Sequence, residues 1–131
     1  MRILNLFYFA VVMSLLITCQ APTATITLDA DDFEKMLEQT PNPQLIDVRT
    51  LSEYAQGYLS GAILIDVRKP SFESLIQQLD ATRPIFVYCR LGRRSLEAAK
   101  ILEKNKFVTV YNLEGGIVEW NEKGKAIKFF H

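Results

Sequence analysis

Four consecutive apolar residues, Ile85-Phe86-Val87-Tyr88, constrain the fold of this chain more than any other feature. A strand with one wet face alternates apolar and polar side chains, whereas a strand that is apolar throughout is covered on both faces. Shorter strand patterns precede and follow it: Thr25-Ile26-Thr27-Leu28, Leu45-Ile46-Asp47-Val48, Gly61-Ala62-Ile63-Leu64-Ile65 and Val108-Thr109-Val110-Tyr111. Helical spacing separates them. Phe33, Met36 and Leu37 follow a cap at Asp29 or Asp31, and Pro41 and Pro43 end that segment. Ser52-Glu53-Tyr54 starts a helical turn that stops at Gly57, and Phe72, Leu75, Ile76 and Leu79 form one amphipathic face. Leu96, Ala99, Ile101 and Leu102 continue a helix from Ser95, and Gly115-Gly116 opens a last one through Trp120. Strands alternating with helices predict an α/β fold, a three-layer sandwich around a central, mainly parallel sheet.

In such sheets, ligand sites lie beyond the carboxyl ends of the strands. Cys89 falls there, directly after the apolar run and before Arg90-Leu91-Gly92-Arg93-Arg94-Ser95. A loop of this kind aims successive backbone N–H groups inward, as helix N-termini and nests do. Gly92 supplies the backbone freedom the curl requires. Those donors, the helix dipole and the guanidinium groups favour a thiolate and hold an anionic substrate. A packed core thiol beside a solvated basic turn is the plainer alternative. With no histidine nearby, field and hydrogen bonds must activate the sulfur.

The remaining composition narrows the functional classes. The one histidine, His131, is the last residue, and a zinc site needs three or four ligands, so no metal is expected. No cofactor is expected either. The chain carries 15 basic and 15 acidic residues, and no stretch interleaves aromatic with basic side chains. That balance offers no electrostatic footprint for nucleic acid.

Residues 3–17 are apolar apart from Asn5 and Ser14, and Arg2 is the only charge before them. A bilayer span needs roughly 20 apolar residues, so this run is short for a stable anchor. A basic start, an apolar stretch and then small residues describe a secretory signal. The following Leu16-Ile17-Thr18-Cys19 resembles a lipoprotein signal, which implies removal of residues 1–18 and acylation of Cys19. Cleavage after Ala21 or Ala24 and an uncleaved anchor are the other readings. On the lipoprotein reading, residues 19–25 form a tether and 26–131 the domain. The protein is then exported and membrane-anchored by lipid, facing the periplasm or cell exterior. Only two cysteines exist, so acylation of Cys19 leaves Cys89 without a partner within the chain.

Three segments together carry a resemblance. "CRLGRRS" resembles the active-site loop of the rhodanese family: cysteine, basic residue, any, glycine, any, arginine, serine. "LIDVRTLSEYAQGYLSGAI" resembles that family's aspartate-valine-arginine segment with its later glutamate and glycine–alanine pair. "VYNLEGGIVEW" resembles its closing segment. The three occur in the family's order and cover most of Thr25 to Trp120. The resemblance implies a rhodanese-like sandwich and sulfur transfer through a cysteine persulfide. Cys89 becomes the sulfur acceptor, with Arg90, Leu91, Gly92, Arg93, Arg94 and Ser95 around it. A small anionic donor such as thiosulfate would leave sulfite, and cyanide, a small thiol or a protein thiol would take the outer sulfur. Arg94 is expected to brace the loop, and Arg90 and Arg93 to draw in anions. Asp47 and Arg49 are expected to be mainly structural, with Arg49 pairing with Glu53. Where the family commonly has histidine after the glycine, this chain has Tyr58.

Two other activities compete. Related folds use a cysteine–arginine cradle for phosphate, but place five residues between the two, whereas four separate Cys89 from Arg94. The position where a phosphatase arginine would fall is Ser95. A persulfide carrier, redox sensor or binding module without turnover is the non-enzymatic alternative.

Overall fold

A computed structural model describes residues 22–130. The elements run β1 (Ala24–Leu28), α1 (Ala30–Gln39), β2 (Gln44–Asp47), α2 (Leu51–Ala55), β3 (Ile63–Leu64), α3 (Phe72–Ile76), β4 (Ile85–Tyr88), α4 (Arg93–Lys104), β5 (Thr109–Leu113) and α5 (Gly116–Glu122). The five strands form one sheet in the order β1-β5-β4-β2-β3, and every adjacent pair is parallel. The α/β sandwich expected from the sequence is the fold observed. Residues 1–18, expected to be a signal, and Cys19 lie outside the described residues. Among those described, no helix is long and apolar enough to cross a membrane.

The central strand β4 separates two cores because successive side chains point to opposite faces. Ile85, Val87 and Cys89 join Phe72 and Ile76 of α3 and Ala98, Ala99 and Leu102 of α4. Phe86 and Tyr88 join Phe33 of α1 and Ile117 and Trp120 of α5. Tyr54 of α2 packs against this second core. The three layers follow from that alternation. Phe33 meets Phe86 edge-on at 5.4 Å between ring centroids and Trp120 at 6.4 Å, which locks α1 and α5 to the sheet. Burial of each such ring contributes about 1.5–3 kcal/mol. At the start of α1, Asp29 rather than Asp31 is the cap, its carboxylate accepting from the Asp32 amide at 2.9 Å.

Two boundaries differ from the sequence reading. The pattern Gly61 to Ile65 yields only the two-residue β3, because it lies at the sheet edge and has β2 as its sole neighbour. Beyond it the chain still follows β2, with the Ile65 amide on the Asp47 carbonyl at 2.9 Å. Helix α4 begins at Arg93, two residues before Ser95, because Gly92 turns the chain with φ +97°. Arg93 and Arg94 are therefore in the first helical turn.

All strands being parallel, the sheet has one amino end and one carboxyl end. The chain enters β1 at Ala24 on the amino end, and the loop after β4 lies at the carboxyl end. After α5 the chain turns back. Lys128 and Tyr58 exchange backbone hydrogen bonds at 3.0 and 2.8 Å, so residues 126–130 strap across the segment after α2. Tyr58 stacks on Tyr54 at 4.3 Å, and Phe130 packs against both. Tyr58, the aromatic residue after Gly57, thus anchors this strap.

Candidate active site

Cys89 directly follows β4, on the face covered by α4, and only 1% of it is exposed. Its Sγ accepts a hydrogen bond from the Gly92 amide at 3.0 Å and lies 3.4 Å from the Ser95 hydroxyl, which is wholly buried. The first amides of any helix lack intrahelical acceptors, and the positive end of the helix dipole lies with them. Here that end is α4, and its first turn carries no acidic residue but two arginines. Cations at a helix N-terminus cost about 0.3–1 kcal/mol each. The chain accepts that cost where the sulfur gains a positive field.

The arginines divide by engagement. Arg94 gives both ends of its guanidinium to Glu53, Nη1 to Oε2 and Nη2 to Oε1, each at 2.7 Å. Arg49 gives its fork to Asp47, with Nη2–Oδ2 at 2.6 Å, and bonds the Gly57 carbonyl at 2.7 Å. The Arg49 guanidinium also lies 5.7 Å from the centre of the Tyr88 ring, and the Tyr88 hydroxyl accepts from the Leu59 amide at 3.1 Å. The Asp47–Arg49 pair is a buried structural bridge, and removing one partner of such a pair costs about 3–5 kcal/mol. The expected Arg49–Glu53 pairing is therefore corrected: Arg49 takes Asp47 two residues before it, and Glu53 takes Arg94 from α4. Arg90 and Arg93 are exposed and make no ion pair among the described residues, and Leu91 stands outward between the loop and solvent.

Glu53 connects two elements. Its carboxylate accepts from the Thr50 amide at 3.1 Å and the Thr50 hydroxyl at 2.9 Å, closing a capping box on α2 while it holds Arg94. The Arg94 guanidinium, acting against partial burial, holds the Glu53 carboxyl down at about 2, and Glu53 in turn raises Arg94. An unperturbed glutamate titrates at 4.5, so the bridge contributes its full stabilisation above that pH and loses it as pH falls toward 2. A Tm series against pH for the protein and Glu53→Gln checks this. The two curves are expected to be separated at about pH 6 and to converge at the acid end. A gap that stays constant through that range overturns the assignment.

Two features of the site escaped the sequence reading. Thr50-x-x-Glu53 is a capping-box signature and was available in the residues themselves. The other is the approach of α5. The Ile117 amide bonds the Cys89 carbonyl at 2.9 Å and the Val118 amide bonds the Arg90 carbonyl at 3.2 Å. A side-chain carbon at Gly116 would lie 2.4 Å from the Arg90 carbonyl oxygen. The Gly115-Gly116 pair was visible only as a helix start. Among the described residues, no histidine, cysteine or carboxylate side chains gather in a metal-binding group.

A parallel α/β sandwich with a buried cysteine after the central strand and an arginine-rich helix start defines a class of cysteine-centred loop domains. The chain belongs to the rhodanese-like domain family, whose model matches residues 29–123. It is similar to a sulfurtransferase of Allochromatium vinosum, 30% identical over 100 residues that cover 76% of this chain and 92% of the relative. A rhodanese-like domain-containing protein of Arabidopsis thaliana is 28% identical over 126 residues, covering 87% and 80% of the two chains. The crystal structure of a rhodanese-like domain protein from Staphylococcus aureus superposes with a TM-score of 0.68 at 26% identity, covering 80% of this chain and 98% of that one.

Proposed function

We propose that the protein is a sulfurtransferase that carries sulfane sulfur as a persulfide on Cys89. The observation that carries this reading is the Cys89 sulfur itself, bonded by the Gly92 amide at the positive end of α4. The sulfurtransferase among its relatives supports it. With thiosulfate as donor, the Cys89 thiolate attacks the outer sulfur. The S–S bond of thiosulfate breaks, and its electron pair leaves on sulfite. A nucleophilic acceptor, cyanide or a thiol, then attacks the outer sulfur of Cys89–S–S⁻, and the Cys89 thiolate is the leaving group. This is covalent catalysis in two displacements. Arg90 and Arg93 supply attraction for the anionic donor, while Arg94 steadies the start of α4 through Glu53.

The same geometry argues against phosphate as the substrate. A phosphate clamp needs a guanidinium fork facing the nucleophile. Arg94 gives its fork to Glu53, and the next position is Ser95, whose hydroxyl faces the sulfur. Incubation with thiosulfate followed by intact-mass measurement is expected to show a gain of one sulfur, discharged by cyanide. Absence of that gain, or hydrolysis of p-nitrophenyl phosphate in a parallel assay, overturns the reading.

We further infer that the protein is exported and held to a membrane by acylation at Cys19, on the strength of the Leu16-Ile17-Thr18-Cys19 pattern. Each acyl CH₂ buried in the bilayer contributes about 0.8 kcal/mol, so multiple chains anchor firmly. Cys19→Ala is expected to move the protein from the membrane fraction to the soluble one. Retention of that variant on membranes eliminates Cys19 as the anchor.

A further inference from the structure

The buried face of α4 is made of Ser95, Ala98, Ala99 and Leu102. Ser95 therefore differs from Ala98 and Ala99, one turn further along that face, by a single oxygen. Ala98, Ala99 and Leu102 pack in the same apolar core as Cys89. An oxygen buried in such a wall costs free energy unless it is hydrogen-bonded. A serine within a helix ordinarily bonds the carbonyl four residues before it, which here is that of Leu91. Among the described residues, the hydroxyl has a different partner, the Cys89 Sγ at 3.4 Å. Packing alone would be served by a third alanine. The oxygen serves the sulfur.

What it does there depends on where the negative charge sits. In the resting thiolate the charge is on Sγ, which has no proton to give, so the hydroxyl is the donor. In the persulfide Cys89–S–S⁻ the charge has moved to the outer sulfur, and Sγ is a bridging atom and a weak acceptor. Hydrogen bonds to an ionised acceptor are roughly twice as strong as neutral ones. The Ser95 hydroxyl thus stabilises the thiolate more than the persulfide. The other donor to Sγ is the Gly92 amide at 3.0 Å, which belongs to the backbone of the turn. Ser95 is accordingly the one side chain bonded to the sulfur among the described residues.

We propose that Ser95 is a catalytic residue for release of sulfur, donating to Cys89 Sγ as the charge returns there. This rests on the sulfur-transfer reading above. When cyanide attacks the outer sulfur, a carbon–sulfur bond forms and the S–S bond to Sγ breaks. The electron pair of that bond returns to Sγ, and the Ser95 hydroxyl bonds to it while keeping its proton. No oxidant or reductant is consumed. Loading runs the opposite way, since Sγ gives up its charge and the same bond weakens. A thiolate that leaves readily also attacks less readily. Ser95 therefore biases Cys89 toward passing sulfur on rather than storing it.

The test equilibrates the full chain and Ser95→Ala with mixtures of thiosulfate and sulfite. It is run at about pH 9.5, where an ordinary cysteine is ionised, and the loaded fraction is read by intact mass. In Ser95→Ala, the sulfite-to-thiosulfate ratio at half loading is expected to rise about tenfold. Discharge of the preloaded variant by cyanide is expected to slow about fivefold. Alanine already fills the next two positions of this face and favours a helix more than serine does, so the variant is expected to keep the parent's Tm. Damage to the loop would slow loading and discharge together and leave the half-loading ratio where it was. A ratio that is unchanged or lower in Ser95→Ala overturns the role given to Ser95. A parent protein that takes up no sulfur at any ratio defeats instead the sulfur-transfer reading, and this inference falls with it.

Discussion

Cys89→Ser is expected to give a folded protein that gains no sulfur from thiosulfate and forms thiocyanate at least about a thousandfold more slowly. Serine supplies a hydroxyl in place of the thiol, and an alkoxide is not accessible at neutral pH without a base. Among the described residues, the side chain's hydrogen-bond partners are the Gly92 amide and the Ser95 hydroxyl, and neither is a base. Those two groups also explain why the fold survives. A buried polar group costs little when its partners are in place, and here a donor is already in position. The expected change in stability is within about 1 kcal/mol, read as a shift of a few degrees in Tm. Cys89→Ala is the informative contrast, because it leaves the buried Gly92 amide with no acceptor. A Cys89→Ser variant that still gains one sulfur would place the persulfide on another group and end the mechanism.

Gly116→Ala is expected to have the largest effect on the fold of any single change at the site. The added carbon would meet the Arg90 carbonyl oxygen at 2.4 Å and the Cys89 carbonyl oxygen at 2.5 Å. Both are backbone atoms, so neither swings aside as a side chain does. They are also the acceptors held by Ile117 and Val118, so relief of the clash must detach α5 from the loop. Gly116 and Gly124 share positive φ, +59° and +71°, but nothing lies within 4 Å of the carbon added at Gly124. Gly124→Ala therefore reports the conformational cost alone, about 1 kcal/mol. Gly116→Ala is expected to exceed it by about 2 kcal/mol or more and to slow sulfur uptake in parallel. Equal Tm values for the two variants would show that α5 has room to move.

The layered fold was legible because its evidence is local and repeated. Ile85 to Tyr88 required two covered faces, and Phe33 and Phe72 marked helices able to cover them. The position of Cys89 after that strand placed it at the carboxyl end of the sheet. Pairing between distant segments was less legible. Arg49 and Arg94 are both plausible partners for Glu53 in one dimension, and the arginine it holds lies 41 positions further along the chain. Asp47, two residues from Arg49, was the nearer carboxylate. The start of α4 was misplaced because Gly92 was read as part of an open loop, whereas its left-handed backbone is the turn into the helix. The steric demand at Gly116 depends on a loop 26 positions earlier in the chain, and no local pattern records such an approach.

The polarity of the sheet has a practical side. The chain enters β1 at one end, while Cys89 lies beyond β4 at the other, separated by the length of a strand, about 15 Å. A bead, dye or surface attached ahead of Ala24 leaves the reactive end open to reagents. The opposite terminus offers no such freedom, since Phe130 packs on Tyr54 and Tyr58. Immobilisation for flow measurements of sulfur uptake and release is therefore best made through the amino terminus.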